Sequence, residues 1–167
     1  MRVLALLVLC ACSTTIRVSR DDLQAEVANH FPREIDKRLV VLRLSDPEVS
    51  LPGSLFDLRV RVEVTTFTGR STFTGTARVE GKLEYVEAEH AFYLRQPRVT
   101  ELELDPATGP GHAARLFNRV DVTSAVRAGI VDVLVRHPIY RVKDPKAAKH
   151  LRSARIEDGE LLLRVGW

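Results

Sequence analysis

The sequence predicts an α+β domain, and three observations carry that prediction. Apolar and polar residues alternate strictly through Leu58–Thr65 and again through Thr72–Tyr85, the period of strands wet on one face. A helical stretch runs over 112–137 and stops at Pro138, because proline biases the residue before it away from helical geometry. A shorter helix over 20–31 precedes the strands, so the helices lie outside a run of strands instead of alternating with them.

The elements follow in order. Ile16 to Val18 form a short extended lead. Ser19 reads as an N-cap with Asp22 three residues on, a capping-box arrangement, and Leu23, Val27, His30 and Phe31 share one helical face behind it. Pro32 disturbs that pattern, and Ile35 to Val41 either continues the helix or begins a strand. Leu58, Val60, Val62 and Val64 alternate with Arg59, Arg61, Glu63 and Thr65, and Gly69-Arg70 reads as a hairpin turn into the next strand. On that strand Phe73, Gly75, Ala77, Val79, Gly81, Leu83 and Tyr85 share a face. Its small residues imply strong bending or a bulky neighbour pressed close.

Ala91 to Leu94 and Val99 to Leu104 read as one strand, bulged or broken near Pro97 and placed at an edge. Asp105 to Gly111 is a loop. Within 112–137 one stripe includes Leu116, Val120, Ile130, Val133 and Leu134, and Val126 with Ile130 extends a second. The apolar face therefore shifts near Asp121 to Ser124. Ile139 to Val142 is extended, and a closing hairpin turns at Asp158-Gly159 into Leu161–Val165.

The N-terminus carries a different message. Arg2 is followed by an unbroken apolar run, Val3 to Leu9, and Ala11 stands directly before Cys12. This resembles the lipobox of bacterial lipoproteins, with residues 1–11 as signal peptide and Cys12 as the acylated residue. Cys12 fits better than Cys10, which follows the large Leu9. An ordinary N-terminal helix is the alternative, and the signal is short enough to leave an upstream start open. The apolar run falls far below the ~20 residues that cross a bilayer, so the implied attachment is an anchor. Ser13 stands where lipoproteins kept in the inner membrane usually carry Asp. The resemblance therefore implies the outer membrane, facing the periplasm. Residues 12–167 then form a single domain.

Several function classes lack support. Net charge is +3 and the basic residues are spread along the chain, so nucleic acid is not an expected partner. There is no Gly-rich phosphate loop and no Gly-x-Ser-x-Gly elbow. His30, His90, His112, His137 and His150 lie too far apart for a local metal site, and each reads as a surface or capping residue. Arg33, Lys37, Arg38, Lys143, Lys146, Lys149 and Arg152 face either anionic lipid heads or, more simply, solvent. No catalytic residue, metal or cofactor is expected. With a hydrophobic fraction of 45%, what remains is apolar surface: a core, or a slot left between sheet and helix for a lipid tail.

The order and spacing of several segments resemble the YceB-like lipoproteins of proteobacteria, a family with a domain of unknown function. These segments are the lipobox, the Ile16–Val27 lead into helix, Leu51-Pro52-Gly53, and the stretch from Gly81 to Tyr85. Ala91 to Leu94, the segment His137 to Val142, and the tail from Ala148 to Val165 complete the set. The chain departs from those relatives in its shorter signal and in Asp121 to Ser124 within the long helix.

Such proteins look like one half of the tubular lipid-binding fold. That likeness implies a strongly curved antiparallel sheet wrapped around the long helix, with an apolar groove between them. The expected partner is a lipid or other apolar small molecule, alongside the membrane itself through Cys12. The residues expected to line the groove are Leu23, Val27 and Phe31 from the first helix, and Val62, Val64, Phe73, Ala77 and Val79 from the sheet. Leu116, Val120, Val126, Ile130, Val133 and Leu134 would come from the long helix. The alternative is a non-catalytic structural or adaptor lipoprotein with a filled core.

Overall fold

The computed structural model describes residues 13–37, 40–66, 72–108 and 119–166. Strand β1 (Ser13–Val18) leads into helix α1 (Arg20–Ala28). Ser19 caps α1 with both halves of the capping box, its hydroxyl accepting from the Asp22 N–H and the Asp22 carboxylate accepting from the Ser19 N–H. The helix ends three residues short of the expected boundary.

Strands β2 (Arg33–Lys37), β3 (Val40–Ser50), β4 (Phe56–Thr66), β5 (Thr72–Val86) and β6 (Ala91–Thr108) follow. Helix α2 (Arg119–Arg136), the two-residue β7 (Tyr140–Arg141), helix α3 (Pro145–Lys149) and the hairpin β8 (Leu151–Glu157) and β9 (Glu160–Gly166) close the chain. The expected turn at Gly69-Arg70 lies outside the described residues, as do 109–118 of the expected loop and long helix.

The expected α+β architecture, one curved sheet wrapped around a long helix, is corrected by this arrangement. Strands make up 60% of the described residues and helices 25%, so the domain is mostly β. Among the described residues nine strands form two separate antiparallel sheets, in the orders β2-β3-β4-β5-β6-β7 and β1-β9-β8. The described helices are short, of 9, 18 and 5 residues. Two causes account for the difference. The segment from Arg33 to Ser50 is strand throughout its described length, where the sequence left it largely unread. The terminal strands pair with each other, Ser13 opposite Gly166 through Val18 opposite Leu161, and so build a sheet of their own.

The strand interiors follow the alternation. Leu58, Val60, Val62 and Val64 of β4 are buried, while Arg59, Arg61 and Glu63 face solvent. On β5, Gly75 serves a close approach: a Cβ there would stand 1.8 Å from the Glu103 carbonyl oxygen of β6. Strand β6 runs unbroken through Pro97, and the β5–β6 register shifts between Glu80 and Lys82, next to Gln96 at φ 49°. Its pairing with β7 covers only Ala91 and Phe92, so Pro97 sits where β6 has lost that neighbour. The last hairpin turns with Asp158 at φ 52° and Gly159 at φ 75°, both left-handed as a two-residue primed turn requires.

Helix α2 continues without interruption through Asp121 to Ser124. It buries Val122, Val126, Ile130 and Leu134, one residue per turn, so the second stripe faces the sheet and Ser124 is exposed. The helix rests on β6 and reaches β2 and β3. Arg127 Nη1 donates to the Val99 carbonyl at 2.5 Å, and Gly129 abuts Leu42. Helix α3 went unexpected, although Asp144 as N-cap with Pro145 at the first helical position is a start signal. One continuous core joins the two sheets and α1 with α2.

Candidate functional site

The candidate lining residues do not outline an empty groove. Leu23, Val27, Val62, Val64, Ala77, Val79, Val126, Ile130 and Leu134 are buried in the shared core, with Phe31 and Phe73 packed against it. Val133 is half-buried. Val120 lies within α2 but its side chain is outside the description, and Leu116 and Cys12 are outside the described residues.

Four of these residues meet at one place. Val27 lies in the last turn of α1, and the chain turns once more through two hydrogen bonds, His30 N–H to the Val27 carbonyl at 2.9 Å and Phe31 N–H to the Ala28 carbonyl at 3.1 Å. That turn points His30 and Phe31 toward the C-terminal end of α2, where Val133 and Leu134 stand. Pro138 stops α2, and the Ile139 N–H donates to the Phe92 carbonyl at 2.7 Å, which ties the link to the sheet. The result is a mouth lined by Val27, His30, Phe31, Arg33, Val133, Leu134, His137, Pro138 and Ile139, enclosing about 20 Å³. That volume holds about one water molecule.

The rim of the mouth is basic. Arg33, the first residue of β2, places Nη2 3.4 Å from His30 Nδ1. Its Nε–H is buried and makes no hydrogen bond among the described residues. Burial holds the His137 imidazole below its ordinary pKa, and the charges of Arg33, His30 and Arg136 push the same way. Arg136 itself is paired, with Nη2 2.7 Å from Asp132 Oδ1 one turn back on α2. Sequence reasoning missed His30, Arg33 and His137 as a group. His30 and His137 are far apart in the chain, and no local spacing joins them.

Two of the wider depressions are open and mix polar with apolar lining. One, of about 790 Å³, runs past Lys82, Glu84, Tyr93, Arg95 and Val135, with Arg95 paired to Glu84 at 2.7 Å. The other, of about 500 Å³, is ringed by Arg20, Gln24, Glu48, Asp57, Arg78 and Glu101. Within it the buried Asp57 carboxylate accepts from Arg78 Nε at 2.7 Å and Nη2 at 2.5 Å, and this pairing holds the Arg78 guanidinium above its ordinary pKa. Gln24 bridges α1 to the β3 bulge, donating to the Pro47 carbonyl at 2.6 Å and accepting from the Val49 N–H at 2.7 Å. Arg95 with Glu84, and Arg78 with Asp57 and Glu101, pair charges within the two depressions. Leu83, Val86 and Leu94 also line the first, so its wall is part apolar and part charged.

No group of three or more His, Cys, Asp or Glu side chains that could hold a metal occurs among the described residues. No described helix is long and apolar enough to cross a membrane. No curated protein matches the chain. A family model described as a protein of unknown function (DUF1439) matches residues 18–158, from the end of β1 to the turn before β9, and the chain belongs to that family.

Proposed function

We propose that this chain is a membrane-anchored periplasmic lipoprotein that binds a lipid or other apolar ligand where helix α2 meets the sheet. The observation that carries the reading is the convergence of Val27, Phe31, Val133 and Leu134, from two helices and a turn, with Ile139 at one apolar mouth. Small-ligand sites are concave and mostly apolar, with a few polar groups that fix orientation, and His30, Arg33 and His137 are such groups. The likeness of the N-terminus to a lipobox and of the chain to YceB-like lipoproteins supports the anchor. Cys12 directly precedes β1, which is paired along its whole length with β9, so an acylated Cys12 would hold the domain against its membrane without a linker. A single acyl chain binds only marginally, whereas two or three hold almost permanently.

A second reading rests on the filled core: a structural or adaptor lipoprotein of the cell envelope with no bound ligand. The small enclosed volume at the mouth favours it. Binding of N-phenyl-1-naphthylamine separates the two. The ligand reading expects saturable fluorescence enhancement that Val133→Arg abolishes while the far-UV spectrum is unchanged. The adaptor reading expects no saturable signal in either protein. Cys12→Ala should move the protein to the soluble fraction under both readings, and retention in membranes would overturn the anchor.

A further inference from the structure

Among the described residues, three basic side chains and no carboxylate line the mouth. That departs from the habit of the fold, in which Arg17 reaches Glu160 at 3.0 Å, Arg95 reaches Glu84 at 2.7 Å and Arg155 reaches Glu157 at 2.8 Å. Arg33 faces His30 instead, a partner that offers one nitrogen lone pair and no negative charge. The buried Nε–H of Arg33 has no acceptor among the described residues. A guanidinium is a planar fork built for two oxygens of one anion, and leaving a buried arm empty is costly. Phe31, Val133 and Ile139 supply apolar surface beside it.

We infer that this mouth is a binding site for an anionic amphiphile, with a phosphate or carboxylate seated between Arg33, His30 and His137 and the apolar chain lying along Phe31, Val133 and Ile139. The inference rests on the apolar-ligand reading above and specifies the ligand's polar end. Because the enclosed volume takes about one water, the oxyanion enters the mouth and the chain runs outward along the seam. The arrangement gives the anion three roles at once. It accepts from the Arg33 Nε–H, offsets the positive charge of Arg33, and favours the charged form of His137. The charges facing His137 are His30 and Arg33 from the turn and β2, and Arg136 from α2.

The test is calorimetric titration of the full chain carrying Cys12→Ala with decyl phosphate, inorganic phosphate and decyl maltoside, each below its micelle concentration. The expected result is that decyl phosphate binds at least about tenfold more tightly than either other probe, the equivalent of one charge-assisted hydrogen bond. Arg33→Gln should remove at least about tenfold of that affinity, and the His137 ring protons, followed by NMR, should titrate at higher pH once decyl phosphate is bound. Should Arg33→Gln fail to fold, as judged by circular dichroism, His137→Gln makes the same comparison. Inorganic phosphate binding as tightly as decyl phosphate would overturn the amphiphile. Equal binding of decyl maltoside, insensitive to Arg33→Gln, would overturn the anion site and leave the apolar-ligand reading standing. No binding of any probe would overturn both.

Discussion

Ile130→Ala probes how completely α2 closes the interior. Ile130 is fully buried at the centre of the stripe formed by Val122, Val126 and Leu134, next to Gly129 where the helix touches Leu42 of β3. The substitution deletes three carbons, which at ~0.8 kcal/mol each contribute about 2.4 kcal/mol of lost burial. A void then remains, because strands β3 and β6 are pinned by their ladders and cannot collapse onto it. The cavity contribution raises the expected loss to about 3–4 kcal/mol. For a domain of this size that corresponds to a fall in Tm of roughly 6–16 °C. Urea unfolding followed by far-UV circular dichroism measures it as a shift of midpoint at constant slope. Val133→Ala, at the half-buried mouth, should cost no more than about 1 kcal/mol. If Ile130→Ala were as mild as Val133→Ala, the interior beneath α2 would not be filled by side chains, and the packing described here would be wrong.

Other perturbations test other links. Gly75→Ala places a methyl group where the Glu103 carbonyl stands 1.8 Å away, so β5 and β6 must separate; hydrogen exchange should show lost protection on both strands, and full protection would refute the close approach. Ser19→Ala removes the capping box and should lower stability by about 1 kcal/mol. The Asp22 carboxyl is held below its ordinary pKa chiefly by its hydrogen bond from the Ser19 side chain. Its stabilisation is present above the unfolded carboxylate value and is lost as pH falls through the folded one, so Ser19→Ala should flatten the acid limb of a Tm-against-pH curve. His137 has its folded pKa depressed by burial first, so the unfolded chain binds the proton more readily. Stability should therefore decline as pH falls below the ordinary histidine range. His137→Gln should lessen that decline, and an identical pH profile in both proteins would contradict the assignment. Arg78→Ala strands the buried Asp57 carboxylate and should destabilise more than Arg59→Ala on the same sheet face.

What the chain disclosed in advance depended on how local the signal was. The β4 alternation was legible because one face is buried and the other wet, and the α1 start because its cap lies within four residues. Strand β3 begins with the same alternation, Val40, Leu42 and Leu44 buried, but Asp46 at φ 49° with Pro47 inserts a bulge. The register slips between Ser45 and Glu48, the period breaks, and an Asp-Pro pair reads as a loop. The two-sheet division was illegible for another reason. Pairing of β1 with β9 is decided by contacts between the two ends of the chain, which no window of sequence contains. The candidate site shows the same limit. Val27, Phe31, Val133 and Leu134 were recognisable as apolar helix-face residues. That they meet each other, with Arg33 and two histidines around them, is a property of the turn after α1 and of Pro138 at the end of α2.

The most direct test of the account is native mass spectrometry of the full-length protein gently extracted from its membrane. The account predicts a protein species carrying one additional lipid-sized, non-covalent mass, lost on mild activation and missing from a folded Val133→Arg variant. A single unliganded mass in both proteins would contradict ligand binding at the α2 mouth.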